Sequence, residues 1–505
     1  MHEVERWGMY EIVLKGTGEG NPCTDVALEV TFTHGNECIR VDGFYDGNID
    51  ENGVNVATYK VRFMPMISGK WNYSVSSGAP VLHGTEGELL CTDPSASNHG
   101  PVRVKDTYQF AYEDGTRHIS VGTTCYALLY QDGARIEKTF SELEKYGFNK
   151  IRICIFPKHY DYNLKEPEFF PFVKKEDGMF DYTQFDPAFF RHLDAVIARL
   201  SDMDIQADLI LFHPYDRWGF KSMPKEVDDR YLKYMAARYS AYRNVWWSLA
   251  NEFDIITNFP DSTETSWHSY KPENKELEDW ERFAQILLSH DPYGHLRSIH
   301  NCMRFYDHTK PWVTHMSAQR TDLIRTVEYV REWREKYKKP IVYDECAYEG
   351  NIQFYWGNIS GQEMTRRFWM GYMMGGYMGH GETYVGYDDI LWWSHGGELH
   401  GESPSRIRFL KDILDEIPDN LQIVPVNGDY CDTCAIAGEG YRIYYYNMFR
   451  PSSWTFYKLE KGEYSVEIID TWNMTVEKLP GTFSGEFTID LPGREYMAAR
   501  LIRMK

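Results

Sequence analysis

The chain has 505 residues, 43% of them hydrophobic and 16% aromatic, so it is too long for one core and two to four domains are expected. Its 54 basic and 75 acidic side chains give a net charge of −21, which repels phosphate backbones and anionic lipid, so neither nucleic acid nor a membrane is an expected partner. The best apolar run, residues 369–379, is too short to cross a bilayer.

The amino-terminal residues and the cysteines favour a cytoplasmic location. Residues 1–7 have neither the basic start nor the apolar stretch of a secretory signal. The nine cysteines are odd in number and scattered, unlike a disulfide framework. Cys431 and Cys434 have the spacing of a metal or redox motif, but no second pair accompanies them, and their surroundings indicate hairpin residues instead.

Residues 1–97 have the pattern of an antiparallel β-sandwich. Alternating apolar and polar runs, such as residues 27–33 and 59–63, are separated by Gly, Asn and Asp clusters typical of turns. No long helical periodicity interrupts them. The polar segment 92–99 is the expected boundary of this domain.

Residues 98–418 have the alternation of strands and helices expected of a (β/α)8 TIM barrel. A hairpin over residues 110–119, with an Asp-Gly turn, is expected to plug the barrel floor. An open doubly wound sheet is disfavoured, because no Gly-rich dinucleotide motif follows the first strand. The predicted strands are 118–124, 150–156, 206–212, 245–250, 296–300, 312–315, 340–343 and 376–378.

Helices are predicted between these strands, and each strand but the last is expected to lead directly into one. Asp186 and Pro187 form a helix start, with an N-cap side chain followed by proline at the first helical position. Residues 274–290, 321–338 and 403–414 have similar patterns. After residue 418 the alternating pattern returns, so residues 419–505 are predicted to form a second antiparallel β-sandwich.

Two predicted strands end in acidic residues. Strand four ends in Asn251 and Glu252, and strand seven in Asp344 and Glu345. In barrel enzymes the loops after the strand C-termini build the active site, so these two glutamates are expected to face one cleft. Other strand ends carry further polar or aromatic side chains, which are candidate substrate contacts: Arg152, His213, His300, His315, Trp392 and Trp393.

A pair of facing carboxyl groups is the minimum requirement for cleaving a glycosidic bond. Glu252 follows an aromatic strand, and apolar burial would keep its carboxyl group protonated, which suits a proton donor. Glu345 suits a nucleophile that stays ionised near Arg152. A separation of about 5–5.5 Å between the carboxyl groups is expected, the spacing of enzymes that retain anomeric configuration.

Three segments resemble clan A glycoside hydrolases, most closely their apiosidase-like, cellulase-like branch with flanking β-sandwiches. They are YLKYMAARY followed by RNVWWSLANE over residues 231–252, Tyr-Asp-Glu at 343–345, and WWSHGGEL at 392–399. The resemblance implies a retaining mechanism. Glu252 would act as acid/base and Glu345 as nucleophile.

The resemblance also implies roles for other residues. Arg152 would bond the nucleophile, Asn251 the sugar 2-hydroxyl, and Trp392 or Trp393 would form the floor of the −1 subsite, while His213 and His315 match polar positions of the clan. One feature departs from the clan pattern. Members often have His-x-Tyr after strand six, whereas here His315 is followed by Met and Ser, so Tyr343 or His300 is the candidate to orient the nucleophile instead.

Two other functions are compatible with parts of the pattern. A metal-dependent barrel hydrolase could use His213, Asp216, His300, His315 and Asp344, but no His-x-His pair follows strand one, where such sites usually begin. A non-catalytic carbohydrate-binding barrel is disfavoured because both glutamates are present.

The sequence therefore predicts a retaining glycosidase that acts on β-linked, plant-type oligosaccharides without a metal or organic cofactor. The long segments 157–171 and 381–403 suggest a pocket and exo action. Xylose, apiose, arabinose, glucose and galactose remain possible sugars, and a homo-oligomer is possible.

Overall fold

The computed structural model confirms the predicted fold class, a (β/α)8 barrel flanked by antiparallel sheets on both sides in sequence. No helix in the described part of the chain has the length and apolar character needed to span a membrane. Cys431 and residues 419–420, where the last domain was predicted to begin, lie outside the described residues. The described residues are 2–17, 20–51, 54–261, 269–386, 391–418, 421, 424–427 and 434–504.

The amino-terminal region consists of two sheets around an aromatic core. Phe32, Phe63 and Trp71 are fully buried between them, and the rings of Phe32 and Phe63 stack 3.9 Å apart. All strand pairs are antiparallel except the first, which pairs with the last strand in parallel. The five-stranded sheet contains His2–Glu5, Glu86–Thr92, Gly69–Ser77, Leu28–His34 and Glu37–Asp42, and the three-stranded sheet contains Tyr10–Thr17, Val54–Phe63 and Phe44–Glu51.

Eight parallel strands form the barrel. They are β1 Val121–Thr124, β2 Lys150–Cys154, β3 Gln206–Phe212, β4 Val245–Ala250, β5 Arg297–Ser298, β6 Met316–Gln319, β7 Ile341–Glu345 and β8 Tyr377–His380. Their order in the sheet is β5-β4-β3-β2-β1-β8-β7-β6. Between β5 and β6 the strands are not paired, and side-chain hydrogen bonds close the barrel instead: Thr314 Oγ1 accepts from Arg297 N at 2.8 Å and Asn301 Nδ2 donates to Gln319 O at 3.1 Å.

Among the described residues, seven helices of nine or more residues surround the barrel. The predicted start at Asp186 is confirmed, since its carboxylate accepts a hydrogen bond from Ala188 N and Pro187 occupies the first turn. The expectation of a helix after strand five is wrong, because residues 299–315 connect β5 to β6 without one. The helices are α1 Gly133–Tyr146, α2 Pro187–Asp202, α3 Lys225–Tyr239, α4 Leu277–His290, α5 Tyr329–Tyr337, α6 Gly361–Met373 and α7 Ser403–Asp415.

The predicted floor plug is confirmed. Three short antiparallel strands, Val102–Lys105, Gln109–Tyr112 and Arg117–His118, lie against the amino-terminal ends of the barrel strands. Phe110 packs there with its ring centroid 5.1 Å from that of Trp246, the second residue of β4. The open end of the barrel is therefore the end at which the strands terminate.

The carboxy-terminal region packs on the helices α6 and α7. The rings of Trp369 and Tyr445 stack at 5.5 Å, and the guanidinium of Arg406 lies 3.8 Å from the ring centroid of Trp472. A pair of strands, Ser453–Phe456 and Phe487–Asp490, faces a larger antiparallel sheet. The strands of that sheet are Val424–Asn427, Cys434–Gly438, Tyr441–Tyr445, Met497–Arg503, Glu463–Asp470, Thr475–Lys478 and Phe483–Ser484.

Candidate active site

Glu252 lies at the tip of β4 in a strained conformation. Its φ is +49°, the left-handed region that a side chain with a Cβ adopts only when its surroundings fix it. The backbone N–H of Glu252 points to His300 Nδ1 at 3.4 Å, and the Tyr215 hydroxyl bonds the carboxyl group. Only 6% of the residue is exposed. The neighbouring loop is fixed by Asp254, whose carboxylate accepts three backbone N–H groups at residues 302–304.

Glu345 ends β7 and is surrounded by hydrogen-bond donors. Arg152 Nη1 lies 3.6 Å from Glu345 Oε1, and His300 Nε2 lies 3.8 Å from the same oxygen. The hydroxyl of Tyr126 donates a short hydrogen bond to this oxygen, and the charge of the carboxylate adds to burial in raising the pKa of the nearby Tyr348. Arg152 therefore lies where the resemblance placed it, beside the predicted nucleophile.

Asn251 precedes Glu252 in the chain, and its side chain contacts the groups that surround Glu345. Its Oδ1 accepts from Arg152 Nη2 at 3.1 Å and lies 3.0 Å from the Tyr126 hydroxyl, whose single proton goes to Glu345. Its Nδ2 makes no hydrogen bond within the described residues, so this donor is available to a ligand. The structure thus brings Glu252, Glu345, Asn251, Arg152 and His300 together at the carboxy-terminal ends of the barrel strands.

The two carboxyl groups differ in their electrostatic environment. Burial, reinforced by the negative charge of Glu345, raises the pKa of Glu252 to about 7. Glu345 instead has the guanidinium of Arg152 nearby and accepts a hydrogen bond from the Tyr126 hydroxyl. A carboxyl group that stays protonated up to about neutral pH therefore accompanies one with a cationic partner, and this asymmetry suits the donation of a proton to one atom and attack on its neighbour.

An ionic layer beneath the site fixes Arg152. Lys150 Nζ lies 2.6 Å from an oxygen of Asp344 and 2.8 Å from one of Asp208. The Nε of Arg152 lies 3.7 Å from Asp208, and the hydroxyl of Ser317 donates to Asp344 at 2.5 Å. Despite burial, these cations hold the pKa of Asp344 well below its usual range. Asp344, the residue before the predicted nucleophile, is therefore part of the barrel interior and supports Arg152 from below.

Aromatic rings enclose the cleft on the side of β1, β2 and β8. Trp393 lies in the short helix Trp392–His395 after β8, with ring centroids of Tyr160 and Trp356 at 5.3 and 5.1 Å. Tyr126 meets Trp393 edge-on at 5.9 Å. Trp393 is thus the tryptophan that lines the cleft. Trp392 is turned away, since it is 1% exposed and its Nε1 donates to Thr123 in β1 at 2.8 Å.

Three other predicted substrate contacts do not face the cleft: His213, Tyr343 and His315. Both ring nitrogens of His213 are used by the backbone, with Nε2 at 3.0 Å from Phe156 O and Nδ1 accepting from Tyr215 N at 3.2 Å. His213 therefore shapes the turn that presents Tyr215. The hydroxyl of Tyr343 donates to the backbone between β6 and α5, on the outside of the barrel, because alternation along β7 points it outward.

The placement of His315 at the cleft is wrong. Strand six begins after His315, so this residue lies at the amino-terminal end of β6. Its ring packs against Phe110 and Trp246, at centroid distances of 5.7 and 5.2 Å, on the barrel floor. No tyrosine follows the observed β6 before Tyr329 in α5, so the departure from the His-x-Tyr pattern remains. Tyr126, which follows β1, donates the hydrogen bond to the predicted nucleophile instead.

The five residues considered for a metal site do not form one. His315 lies on the floor, and Asp216 accepts backbone N–H groups of residues 218, 219 and 221. Among the described residues, the one cluster with the donor types of a metal site is Glu349, His380 and Glu382. Its carboxylates accept four backbone N–H groups at residues 400–403, so they anchor the start of α7.

Sequence reasoning missed four residues that line the cleft: Tyr126, Lys158, Tyr215 and Tyr348. Tyr126 stands two residues after the end of β1, and Lys158 four residues after the end of β2. Their positions after strand ends are the signal that could have identified them.

Three family models match successive parts of the chain. The model described as apiosidase-like, catalytic domain, matches residues 104–418. Two domains of unknown function match on either side, DUF5060 over residues 3–78 and DUF5605 over residues 431–502. No curated protein sequence is similar to the chain.

Solved structures share the architecture. A candidate glycoside hydrolase from Bacteroides vulgatus ATCC 8482, at 1.80 Å resolution, is 34% identical with a TM-score of 0.88, and the alignment covers 100% of each chain. A glycoside hydrolase family 5 protein from the same organism is 16% identical with a TM-score of 0.57, covering 80% of this chain and 93% of that one. The second likeness concerns the fold alone.

Proposed function

Because the chain belongs to the apiosidase-like family of clan A glycoside hydrolases, we propose that it cleaves β-linked, plant-type oligosaccharides by double displacement. Glu345 attacks the anomeric carbon while Glu252 protonates the leaving oxygen. Glu252 then accepts a proton from water, which releases the sugar with its original configuration. The observation that carries this proposal is the pairing of a buried Glu252, whose pKa is raised to about 7, with a hydrogen-bonded Glu345 in one aromatic cleft.

The stereochemistry of the product tests the mechanism. Proton NMR of a fresh reaction with an aryl β-glycoside is expected to show the β-anomer first, followed by slow mutarotation. A panel of aryl xylosides, arabinosides, glucosides, galactosides and apiosides identifies the sugar. Initial release of the α-anomer would instead indicate a single, inverting displacement. That mechanism needs a wider separation of the carboxyl groups than the predicted value of about 5–5.5 Å.

We also propose that the enzyme is exo-acting. Two loops that cover one side of the cleft support this proposal. The segment after β2 contributes Tyr160, whose hydroxyl donates to Ser394 Oγ at 2.7 Å, and the segment after β8 contributes Trp393. A wall of this kind leaves room for a chain end rather than for a continuous chain. Reaction products from a reducing-end-labelled oligosaccharide check this, since exo action shortens it one sugar at a time.

A reducing compartment such as the bacterial cytoplasm is the proposed location. Seven cysteines of the described residues are free thiols, among them the exposed Cys38. The protein can be isolated and denatured with an alkylating agent present, and the alkyl groups counted by mass spectrometry. Most cysteines without an alkyl group would contradict this location.

Replacing Tyr126 by phenylalanine is expected to lower kcat by about 10- to 100-fold, because a hydrogen bond to an ionised group is lost in a buried site. The lost bond lies at the attacking oxygen, so kcat should fall while KM changes by less than about threefold. The measurement is kcat and KM with an aryl glycoside at a single pH. A rise in KM with kcat unchanged would mean that Tyr126 holds the sugar and does not orient the nucleophile.

A further inference from the structure

Lys158 is a buried cation in the cleft that the proposed mechanism does not use. It follows β2, and 2% of the residue is exposed. Its ammonium group lies 3.7 Å from the ring centroid of Tyr126, 4.3 Å from that of Tyr215, 4.5 Å from that of Tyr160 and 5.2 Å from that of Trp393. No hydrogen bond or ion pair of this ammonium group is made with the described residues.

The other buried cations of the barrel have protein partners. Lys150 contacts Asp208 and Asp344, and Arg152 contacts Asp208 and Glu345. Ring faces attract an ammonium group but accept none of its three N–H bonds as a carboxylate would. Burial accordingly lowers the pKa of Lys158. The donors of Lys158 are therefore left for a molecule that enters the cleft.

The position of Lys158 indicates which part of a substrate it meets. Of the two nearest rings, Tyr126 bonds the nucleophile Glu345 and Tyr215 bonds the acid Glu252. The ammonium group lies between these rings and beside Trp393. It therefore faces the sugar held between the two carboxyl groups, whose anomeric carbon is attacked.

We propose that Lys158 binds the carboxylate of a uronic acid in this position, so that the preferred substrate is a β-glycuronide. This inference rests on the proposed glycosidase function. A sugar hydroxyl can also accept from lysine, but a carboxylate supplies both acceptors and the opposite charge in a site that excludes water. Hydrogen bonds between two charged groups are about twice as strong as neutral ones. Lys158 is thus assigned as the residue that determines specificity for an acidic sugar.

Pairs of substrates that differ only at C6 test the inference. We expect the wild-type enzyme to cleave 4-nitrophenyl β-D-glucuronide or β-D-galacturonide with kcat/KM about 10- to 100-fold above the matching glucoside or galactoside, the range of one charge-assisted hydrogen bond. Lys158→Met should remove this preference, and Lys158→Arg, which keeps the cation, should retain part of it. Lys175→Met, at an exposed lysine, is the matched control and should keep the full preference.

Each other outcome overturns the assignment in a different way. If the wild-type enzyme prefers the neutral member of both pairs, the uronate assignment is wrong while the glycosidase function stands. If Lys158→Met lowers both members equally, Lys158 does not recognise a carboxylate.

If the wild-type enzyme cleaves no aryl glycoside, calorimetric binding of glucuronate and galacturonate decides. Affinities no higher than those of glucose and galactose, or unchanged in Lys158→Met, contradict the assignment. Failure of the proposed function would be seen separately. Wild-type enzyme that hydrolyses no glycoside would contradict the glycosidase function, and turnover that survives Glu345→Gln would contradict the role of Glu345.

Discussion

Replacing Glu345 by glutamine is expected to abolish turnover, with kcat/KM about 10⁴-fold or more below the wild-type value. Glutamine has the same shape and keeps an oxygen for the hydrogen bond from Tyr126. Its amide oxygen is a poor nucleophile and cannot form the glycosyl ester on which double displacement depends. The loss should therefore appear with activated and unactivated leaving groups alike, since both require formation of the intermediate.

A matched control separates chemistry from folding. Glu335→Gln makes the same change on the exposed face of α5 and should leave kcat/KM within twofold, as expected for a surface substitution. Glu345→Gly provides a second test. Added azide can occupy the space that the side chain vacates and attack the anomeric carbon from the side of the missing carboxylate, so the product should be an α-glycosyl azide. Turnover of Glu345→Gln within tenfold of the wild-type rate would remove Glu345 from the role of nucleophile.

The sequence identified the barrel strands that are apolar on both faces. The predicted bounds of strands three and four, residues 206–212 and 245–250, agree with β3 and β4, because continuous apolar runs identify strands covered by helices outside and side chains inside. The two catalytic candidates follow directly from such runs. Strand ends are therefore predictable wherever the strand itself is apolar.

Strand six shows where this reasoning fails. The apolar residues Trp312 and Val313 belong to the connection between β5 and β6, where Trp312 packs against Tyr306 and donates to Glu281 of α4. In contrast, β6 carries Ser317, whose hydroxyl bonds Asp344 in the charged barrel interior. A strand that faces a buried ionic layer looks polar in sequence. The error moved His315 from the floor to the cleft. The lack of a tyrosine directly after strand six is real, since the next tyrosine is Tyr329 at the start of α5.

Loop residues could not be predicted for another reason. Tyr126, Lys158 and Tyr215 come from three separate loops, and only their meeting in space makes them one group. Adjacent residues of the helix Trp392–His395 point in directions about 100° apart, so one tryptophan at most could line the cleft, and sequence alone did not distinguish them. The aromatic character of the site was predictable, whereas its composition depended on tertiary structure.

Replacing Glu252 by alanine is expected to impair only those steps that need proton transfer. With a poor leaving group such as an alkyl alcohol, kcat/KM should fall by about 10²- to 10⁴-fold, the usual contribution of general acid catalysis. With 2,4-dinitrophenolate, which leaves without protonation, the first step should change little, and slow attack of water on the glycosyl enzyme should become limiting. A burst of dinitrophenol followed by slow turnover is the expected time course.

The pH profile gives the same prediction an independent readout. Glu252 must be protonated to act as an acid, and burial beside the charge of Glu345 raises its pKa to about 7, so wild-type kcat/KM should be constant below that pH and fall as pH rises through it. In Glu252→Ala this alkaline limb should disappear for the dinitrophenyl substrate. Retention of a limb near pH 7 in the variant would assign it to another group.

Azide distinguishes the two carboxyl groups by stereochemistry. In Glu252→Ala, azide meets a glycosyl enzyme already formed on Glu345 and attacks from the side that Glu252 vacated, so a β-glycosyl azide is expected. The opposite product is expected from Glu345→Gly, where azide attacks the substrate directly. Only an arrangement with the two carboxyl groups on opposite faces of one sugar gives this pair of results. The same azide anomer from both variants would contradict the roles assigned to Glu252 and Glu345.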